Sequence, residues 1–265
     1  MTHFAVLVNT GTPRHPDYED VNGRLVQLMA PYNEEIQVTP YRDYDIWIPD
    51  EMKSLPASEV PAAMKAKFGD DESRYHDPDR DECYSMSTYN PDSKWDYWRI
   101  AGQYPGLLIV RPGSTNVERG ELGWEWTNKD IGIKDTQPYN SDLEVDVCQW
   151  GDIDWDAMGA RTLVEMSELY GRIESSGKSF MKPSYYEEEY GYVAGEGAES
   201  FAKRNLVDRP MLNHLVTPNG EWHEAHKTGW FGMHSETDKN WADEWSKLTR
   251  EFAPTDIVAV LDCHI

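Results

Sequence analysis

The sequence predicts an α+β fold, with ferredoxin-like β-α-β units at the two termini split by a long aromatic-rich insertion. Two observations lead to this prediction. Strand, helix and strand patterns follow one another at the N-terminus, and a hairpin, a helix and a strand pattern close the chain. We therefore expect a split core, residues 1–44 and 209–265, and an insertion, residues 45–208, within one compact globular unit.

The N-terminal unit begins with an apolar strand pattern over residues 3–9. A helix is predicted over residues 19–30, because apolar side chains recur there at helical spacing. These side chains are Val21, Leu25, Leu28 and Met29. Residues 36–41 predict a second strand, which completes a β-α-β unit.

The C-terminal unit begins with a hairpin pattern over residues 209–224, turning at residues 218–220. A helix is predicted from about Lys239 to Pro254, again because apolar side chains form one stripe. The stripe consists of Trp241, Trp245, Leu248 and Phe252. Residues 256–264 predict the last strand, and burying it beside the first strand would bring the two ends of the chain together.

The insertion contains one clear helix pattern, near residues 154–174, for which Asp154 is the expected N-cap. Residues 53–68 also have helical character, although two prolines limit it. Residues 69–82 are acidic and predict a loop, and residues 107–110 predict a short strand.

Composition excludes several classes of protein. The chain has 48 acidic and 25 basic residues and a formal charge of −23, which argues against direct nucleic-acid binding and against an anionic membrane surface. Its 11 Trp, 15 Tyr and 6 Phe require a packed core, so the chain is not expected to be disordered. Residues 4–8 are too short an apolar run for a signal peptide, and no segment has membrane-spanning length.

The three cysteines also indicate an intracellular protein. Cys83, Cys148 and Cys263 are odd in number, far apart and without a C-x-x-C pair. A disulfide framework or a cysteine zinc site is therefore not expected, and a reducing cytoplasm is the natural compartment.

The segment of residues 90–106 is the strongest candidate for a ligand site. It combines aromatic rings with cations and acids between a turn signal and two glycines. On a strand, Lys94, Asp96 and Trp98 would share one face, and Trp95, Tyr97 and Arg99 would share the other. Such a surface could stack on a flat ligand and pair with its anionic groups. The alternative is an aromatic core strand with charged ends.

Two short clusters near the C-terminus could carry chemistry. Asp262 and His264 alternate onto one face of the last strand, where they could act as orienter and base, while Cys263 points to the other face. The alternative is a strand end whose polar groups meet water. His223 and His226 flank Glu224 with a spacing one residue too short for a helical zinc motif, so no metal site is predicted.

Several motifs along the chain resemble a family of uncharacterised proteins encoded by bacteriophages and prophages. The opening T-H-F-A-V-L-V is followed by N-P-D-S-K-W-D-Y-W at 90–98, G-D-I-D-W-D-A-M at 151–158, T-P-N-G-E-W at 217–222, G-W-F-G at 229–232 and V-L-D-C-H-I at 260–265. The resemblance covers both termini and the middle. It brings no activity with it, so no catalytic residue is transferred.

The resemblance implies the cytoplasm of an infected bacterial host and an accessory role there. The family's central motif is similar but continues with a glycine pair, arginine and tryptophan, where this chain has Ala101, Gly102, Gln103 and Tyr104. Gln103 is therefore a candidate contact that departs from the family pattern. A host protein and a second copy of this chain remain open as partners.

Three functions follow as hypotheses. The first is a module that binds and sequesters a small nucleotide-like ligand, such as a host immune signal, through the central motif, with Trp222 and Trp230 completing the pocket. The second is a hydrolase of such a ligand, using His264 and Asp262. The third is an acidic DNA mimic that occupies a host protein. No cofactor is expected, although the negative charge leaves room for a divalent cation accompanying a phosphate.

Overall fold

The computed structural model describes residues 3–11, 18–69, 73–123, 138–175, 191–204, 212–226, 238 and 240–265, with residues 18–20 as backbone only. The chain divides into two compact units. The first comprises Met1–Ala30 with Trp95–Ile265, and the second comprises Pro31–Lys94. The insertion expected from the sequence, residues 45–208, therefore contributes to both units.

The described residues form short strands and helices in mixed order. The strands are β1 (His3–Gly11), β2 (Tyr41–Asp43), β3 (Tyr75–Asp77), β4 (Glu82–Ser87), β5 (Tyr97–Gly102), β6 (Leu108–Ile109), β7 (Glu121–Leu122), β8 (Glu144–Val145), β9 (Val147–Gln149), β10 (His214–Val216), β11 (Trp222–Glu224) and β12 (Ile257–His264). The α-helices are α1 (Tyr18–Met29), α2 (Val60–Phe68), α3 (Trp155–Ser175), α4 (Ala198–Arg204) and α5 (Trp241–Arg250). Single 3₁₀ turns lie at Ala30–Tyr32, Asp50–Met52 and Trp150–Asp152.

The first unit is built on a mixed sheet with the strand order β11-β10-β1-β12-β5-β7, and β9 pairs with the beginning of β12. The expected pairing of the two terminal strands is confirmed, because β1 and β12 run antiparallel from His3 opposite His264 to Gly11 opposite Ile257. The expected hairpin is also confirmed as β10 and β11. Helices and a mixed sheet in this arrangement place the chain in the α+β class.

The N-terminal β-α-β unit has a different second strand from the one predicted. Residues 36–40 form no strand, and β2 pairs with β4 in the second unit. Since β12 runs antiparallel to both β1 and β5, β1 and β5 run parallel on either side of it. The unit is therefore β1, α1 and β5, with the second compact unit inserted between α1 and β5.

Helix α5 covers one face of the central sheet. Its tryptophans Trp241 and Trp245 share a buried cluster with Leu7 of β1 and with Val258 and Val260 of β12. The predicted stripe of this helix is thereby confirmed. Full burial of such side chains supplies roughly 1.5–3 kcal/mol each, which makes this layer a principal source of stability.

Helix α1 contacts β1, and its predicted stripe is buried as well. Helix α3 begins where the sequence predicted, since the carboxylate of Asp154 accepts a hydrogen bond from the backbone N–H of Ala157 at 2.9 Å. The C-terminal half of α3 packs on α4 through a small aromatic cluster of Tyr170, Tyr192 and Phe201.

The second unit has its own sheet, in the order β2-β4-β3, and its own core. Met52, Val60, Met64 and Cys83 form that core. Strand β3 lies within the segment 69–82 that the sequence predicted as a loop, because its three residues are too few and too polar to give a strand pattern. In the part of the chain that the structure describes, no helix combines the length and apolar character needed to cross a membrane.

Candidate functional site

A pocket of about 270 Å³ lies in the first unit, beside the N-terminal end of β1. Its wall consists of residues 3–5, Tyr104, residues 212–214 and His226. Strand β10 pairs with β1 only from Val6 to Val8, so residues 3–5 extend past the start of β10. The pocket therefore lies beside residues 3–5 of β1, which have no pairing partner on β10.

Rings dominate the wall of the pocket. The rings of Phe4 and His214 lie 4.6 Å apart between centroids, and those of His214 and His226 lie 5.5 Å apart. Trp222 contacts two of these rings, with centroid distances of 5.8 Å to His214 and 6.4 Å to Phe4. Tyr104 closes the wall, and its hydroxyl donates a hydrogen bond to the carbonyl of His3 at 2.8 Å.

His3, on the pocket wall, is held by a buried carboxylate. Its Nδ1 lies 2.8 Å from Oδ1 of Asp262, whose residue is 3% exposed. A carboxylate can only accept, so Nδ1 carries the proton, and Nε2 of the neutral ring is an acceptor. The other carboxylate oxygen, Oδ2, accepts the backbone N–H of Gln103 at 3.0 Å. These contacts fix both the tautomer and the orientation of the His3 ring.

A second histidine is held in the same way beside the first. Nδ1 of His264 lies 2.6 Å from Oδ1 of Asp96, and the backbone N–H of Asp96 donates to the carbonyl of His264 at 3.0 Å. His3 and His264 are cross-strand partners, and their rings meet edge to face with 5.0 Å between centroids. Two carboxylate-bound imidazoles therefore stand side by side at one end of the sheet.

The backbone at the end of β5 is shaped around Asp262. Ala101 and Gly102 have φ values of 68° and 54°, a left-handed conformation that residues other than glycine rarely adopt. This turn directs the N–H of Gln103 at the carboxylate. A Cβ on Gly102 would lie 2.2 Å from Oδ2 of Asp262, so the carboxylate fits only because this position is glycine. A strained non-glycine residue at this point suggests a functional site.

The aromatic residues of the central segment lie partly in the core. Trp95 is 7% exposed, and its indole N–H donates to the carbonyl of Met29 at 3.2 Å. Trp95 contacts Trp98 edge to face at 6.4 Å, although strand alternation predicted opposite faces. The alternation fails because β5 begins at Tyr97, after Trp95.

The remaining predicted residues have separate surroundings. The guanidinium of Arg99 lies over the ring of Tyr97 at 5.0 Å, and Arg99 stands opposite Asp262 in the sheet. The backbone N–H of Lys94, in the second unit, donates to the carbonyl of Tyr32 at 2.7 Å. Trp230 lies outside the described residues. A ligand-binding role for these residues stays a prediction.

Asp262 and His264 do not form the pair that the sequence suggested. Asp262 bonds to His3, and His264 bonds to Asp96. His3 reaches Asp262 diagonally across the two terminal strands, because Ala5 stands directly opposite Asp262 and His3 stands opposite His264. Sequence reasoning missed His3, yet the expected pairing of the terminal strands already placed it near His264.

The described residues offer neither a thiol nucleophile nor a metal cluster at this site. Cys263 is fully buried on the opposite face, where burial raises the pKa of its thiol well above the usual value. Burial also raises the pKa of the Tyr104 hydroxyl, to about 12. Among the residues described, no group of three His, Cys, Asp or Glu side chains is placed to hold a metal ion.

Comparison with known protein families, curated proteins and solved structures gives no match to this chain.

Proposed function

We propose that this chain binds a small nucleotide-like molecule in the pocket beside β1. The observation that supports the proposal is the wall of flat rings, which combines Phe4 and Tyr104 with imidazoles around a space of about 270 Å³. Ligand pockets are typically apolar and aromatic, with a few polar groups that fix orientation. A pocket of this size suits one base or nucleoside better than a large dinucleotide.

The polar groups of the wall suit the edge of a base. Asn213 offers both an amide donor and an amide acceptor, and the neutral His3 ring offers Nε2 as an acceptor. Stacking on a ring contributes roughly 1–3 kcal/mol per base. Base recognition therefore needs no strongly cationic surface.

The charge of the chain favours recognition of the base over recognition of phosphate. The described lining residues include no lysine or arginine, so the histidines are the groups of that wall that can become cationic. With a formal charge of −23 on the whole chain, a free phosphate would enter against a repulsive field. A phosphate on the ligand would be neutralised by a protonated imidazole or by an accompanying divalent cation.

The resemblance to phage-encoded proteins gives the proposal a biological setting. A phage accessory protein that holds a nucleotide-like host signal would lower its free concentration in the infected cell. The ring-lined pocket supplies the binding on which that role depends.

Native mass spectrometry with a panel of AMP, cyclic AMP, cyclic dinucleotides and ADP-ribose tests the proposal. We expect at least one member to be retained by the parent. Asn213 is exposed at the pocket wall, so the variant Asn213→Trp should obstruct the pocket at little cost to packing and abolish retention. Val164→Trp is the matched control, because Val164 is 58% exposed on α3 and does not line the pocket.

Two results would contradict the proposal in different ways. Equal retention by the parent and by Asn213→Trp would place the ligand elsewhere. Retention of no panel member would remove the nucleotide proposal and favour the acidic DNA mimic, which a pull-down with host nucleic-acid-binding proteins would then examine.

A further inference from the structure

We infer that His3 and His264 form a two-histidine acid–base centre that hydrolyses a phosphodiester bond of the molecule bound in the pocket. The inference rests on the proposed binding function and assigns chemistry to the residues beside it. The observations that carry it are two histidine–carboxylate pairs in contact, one of them on the pocket wall.

The two rings present equivalent groups for proton transfer. In each ring Nδ1 is bound to a carboxylate, which leaves Nε2 for chemistry. Within the described part of the chain, neither Nε2 has a hydrogen-bond partner. When one ring is neutral and the other is protonated, one Nε2 accepts a proton and the other donates one, as general base and general acid catalysis requires.

Position along the pocket distinguishes the roles of the two rings. His3 lines the pocket and its side chain is 29% exposed, so it is the group that meets the nucleophile. His264 lies beside His3 with 5.0 Å between ring centroids, and its side chain is 13% exposed. His3 is therefore assigned as the base and His264 as the acid.

Water is the nucleophile that fits the described site. The described wall residues include no serine, threonine, cysteine or lysine. The hydroxyl of Tyr104 already donates to the carbonyl of His3 and resists ionisation, with a pKa of about 12. Direct attack by water avoids a covalent intermediate on the protein.

The step balances with the two histidines alone. Nε2 of neutral His3 takes a proton from water as the water oxygen bonds to phosphorus. The bond between phosphorus and the leaving oxygen then breaks, and that oxygen takes the proton from Nε2 of protonated His264. The products are a phosphomonoester and an alcohol, and exchange with solvent returns His3 to its neutral form and His264 to its protonated form.

The surrounding structure keeps this centre in position. Asp262 is buried and bound at both oxygens, by the His3 ring and by the N–H of Gln103. The left-handed turn at Ala101 and Gly102 aims that N–H. Strain of this kind costs roughly 1–3 kcal/mol and persists where the surrounding structure enforces it, as at sites that hold a fixed geometry.

Two probes separate the base from the acid. Cyclic AMP has an alkoxide leaving group that needs a proton, whereas bis(p-nitrophenyl) phosphate releases p-nitrophenolate, which leaves as an anion. Hydrolysis of each by the parent protein is measured as kcat/KM. Binding of AMP is measured separately by calorimetry on the same samples.

We expect His3→Gln to lower kcat/KM for both probes by about 10²–10⁴-fold, the usual contribution of a general base. His264→Gln should lower kcat/KM for cyclic AMP by a similar factor and change it little for bis(p-nitrophenyl) phosphate. His223→Gln is the matched control and should change neither. Its Nδ1 also binds a carboxylate, that of Glu244 at 3.1 Å, but His223 does not line the pocket.

The outcomes separate this inference from the proposed function. AMP binding without hydrolysis of either probe would overturn the acid–base centre and leave the binding function standing. Retention of no member of the nucleotide panel, together with absence of hydrolysis, would overturn both. Full activity of His3→Gln, or equal losses with both probes in His264→Gln, would overturn the assigned roles.

Discussion

Asp262 is the residue on which the geometry of the candidate site depends most. Its two oxygens join the first strand, the last strand and the turn after β5, since they accept from His3 and from the N–H of Gln103. Removing one partner of a buried charged group leaves that group unpaired, which is far more costly than losing an exposed ion pair. Small changes around Asp262 should therefore have large effects.

We predict that Gly102→Ala destabilises the protein more than Gly113→Ala does. Both glycines have positive φ, so each alanine carries a strain of about 1–2 kcal/mol. At Gly102 the new Cβ would also lie 2.2 Å from the Asp262 carboxylate, whereas at Gly113 it would meet nothing within 4 Å. Overpacking adds about 1–3 kcal/mol at Gly102, measurable as a lower urea midpoint. Equal midpoints for the two variants would contradict this account of Gly102.

A second buried carboxylate, Asp77, gives a prediction about pH in the second unit. The hydroxyl of Tyr44 donates to Asp77 at 2.5 Å and is the largest cause of the lowered pKa of Asp77, assisted by the N–H of Asp79 and by Arg42 and opposed by burial. A carboxyl whose pKa is lowered by folding stabilises the folded state above its unfolded pKa of about 3.9. That stabilisation is lost as the pH falls through the lower, folded pKa.

Amide hydrogen exchange of β4 in the parent and in Asp77→Asn measures this contribution, because β4 pairs with both neighbouring strands of that sheet. The parent should be more protected at neutral pH, and its advantage should shrink as the pH falls below about 4. A difference that stays constant from neutral to acid pH would show that the charge of Asp77 does not stabilise this unit.

The hydrogen-bond partners of Asp262 and His264 could not be predicted from the sequence. Alternation along β12 correctly placed Asp262 and His264 on the face opposite to that of Cys263. It could not show that Asp262 binds His3 on β1 and that His264 binds Asp96 just before β5, because such partners depend on register. The core position of Trp95 was likewise one of two readings that the sequence left open, and the site role of that segment stays a prediction.

Among the elements, those with strong periodicity were predicted well. Helices α1, α3 and α5 and the terminal strands follow the expected patterns, since each buries one face or both faces on the core. The predicted second strand of the N-terminal β-α-β unit was wrong. The strand that completes this unit is β5, which the second compact unit separates from α1 in the sequence. Periodicity carries no information on which distant strand completes a β-α-β unit.

We predict that Asp154→Ala lowers the free energy of unfolding by about 1 kcal/mol. The carboxylate of Asp154 accepts the N–H of Ala157 in the first turn of α3, and alanine leaves that donor without a protein acceptor. Asp154→Asn is the matched control, because asparagine is an equally good N-cap and should stay within a few tenths of a kcal/mol of the parent. Thermal or urea unfolding measures both, and equal losses would assign the effect to the charge of Asp154 instead of its cap.

At the scale of the whole molecule, the net charge of the chain and the lining of its pocket favour different ligands. A chain with a formal charge of −23 repels anions, yet its pocket gathers rings and imidazoles that suit a nucleotide-like ligand. A neutral base is compatible with both properties, because the histidines are the pocket groups that can carry a positive charge. The pocket itself was beyond sequence reasoning, since it depends on where β10 begins along β1.

The most direct measurement of this claim is a two-dimensional NMR spectrum of the histidine rings during titration with AMP. We predict that the ring signals of His3, His214 and His226 shift together and saturate. The signals of His76, which binds Asp81 in the second unit, should stay in place. Shifts of His76 equal to those of the pocket histidines, or no shift of the pocket histidines at saturating AMP, would contradict binding of a nucleotide in this pocket.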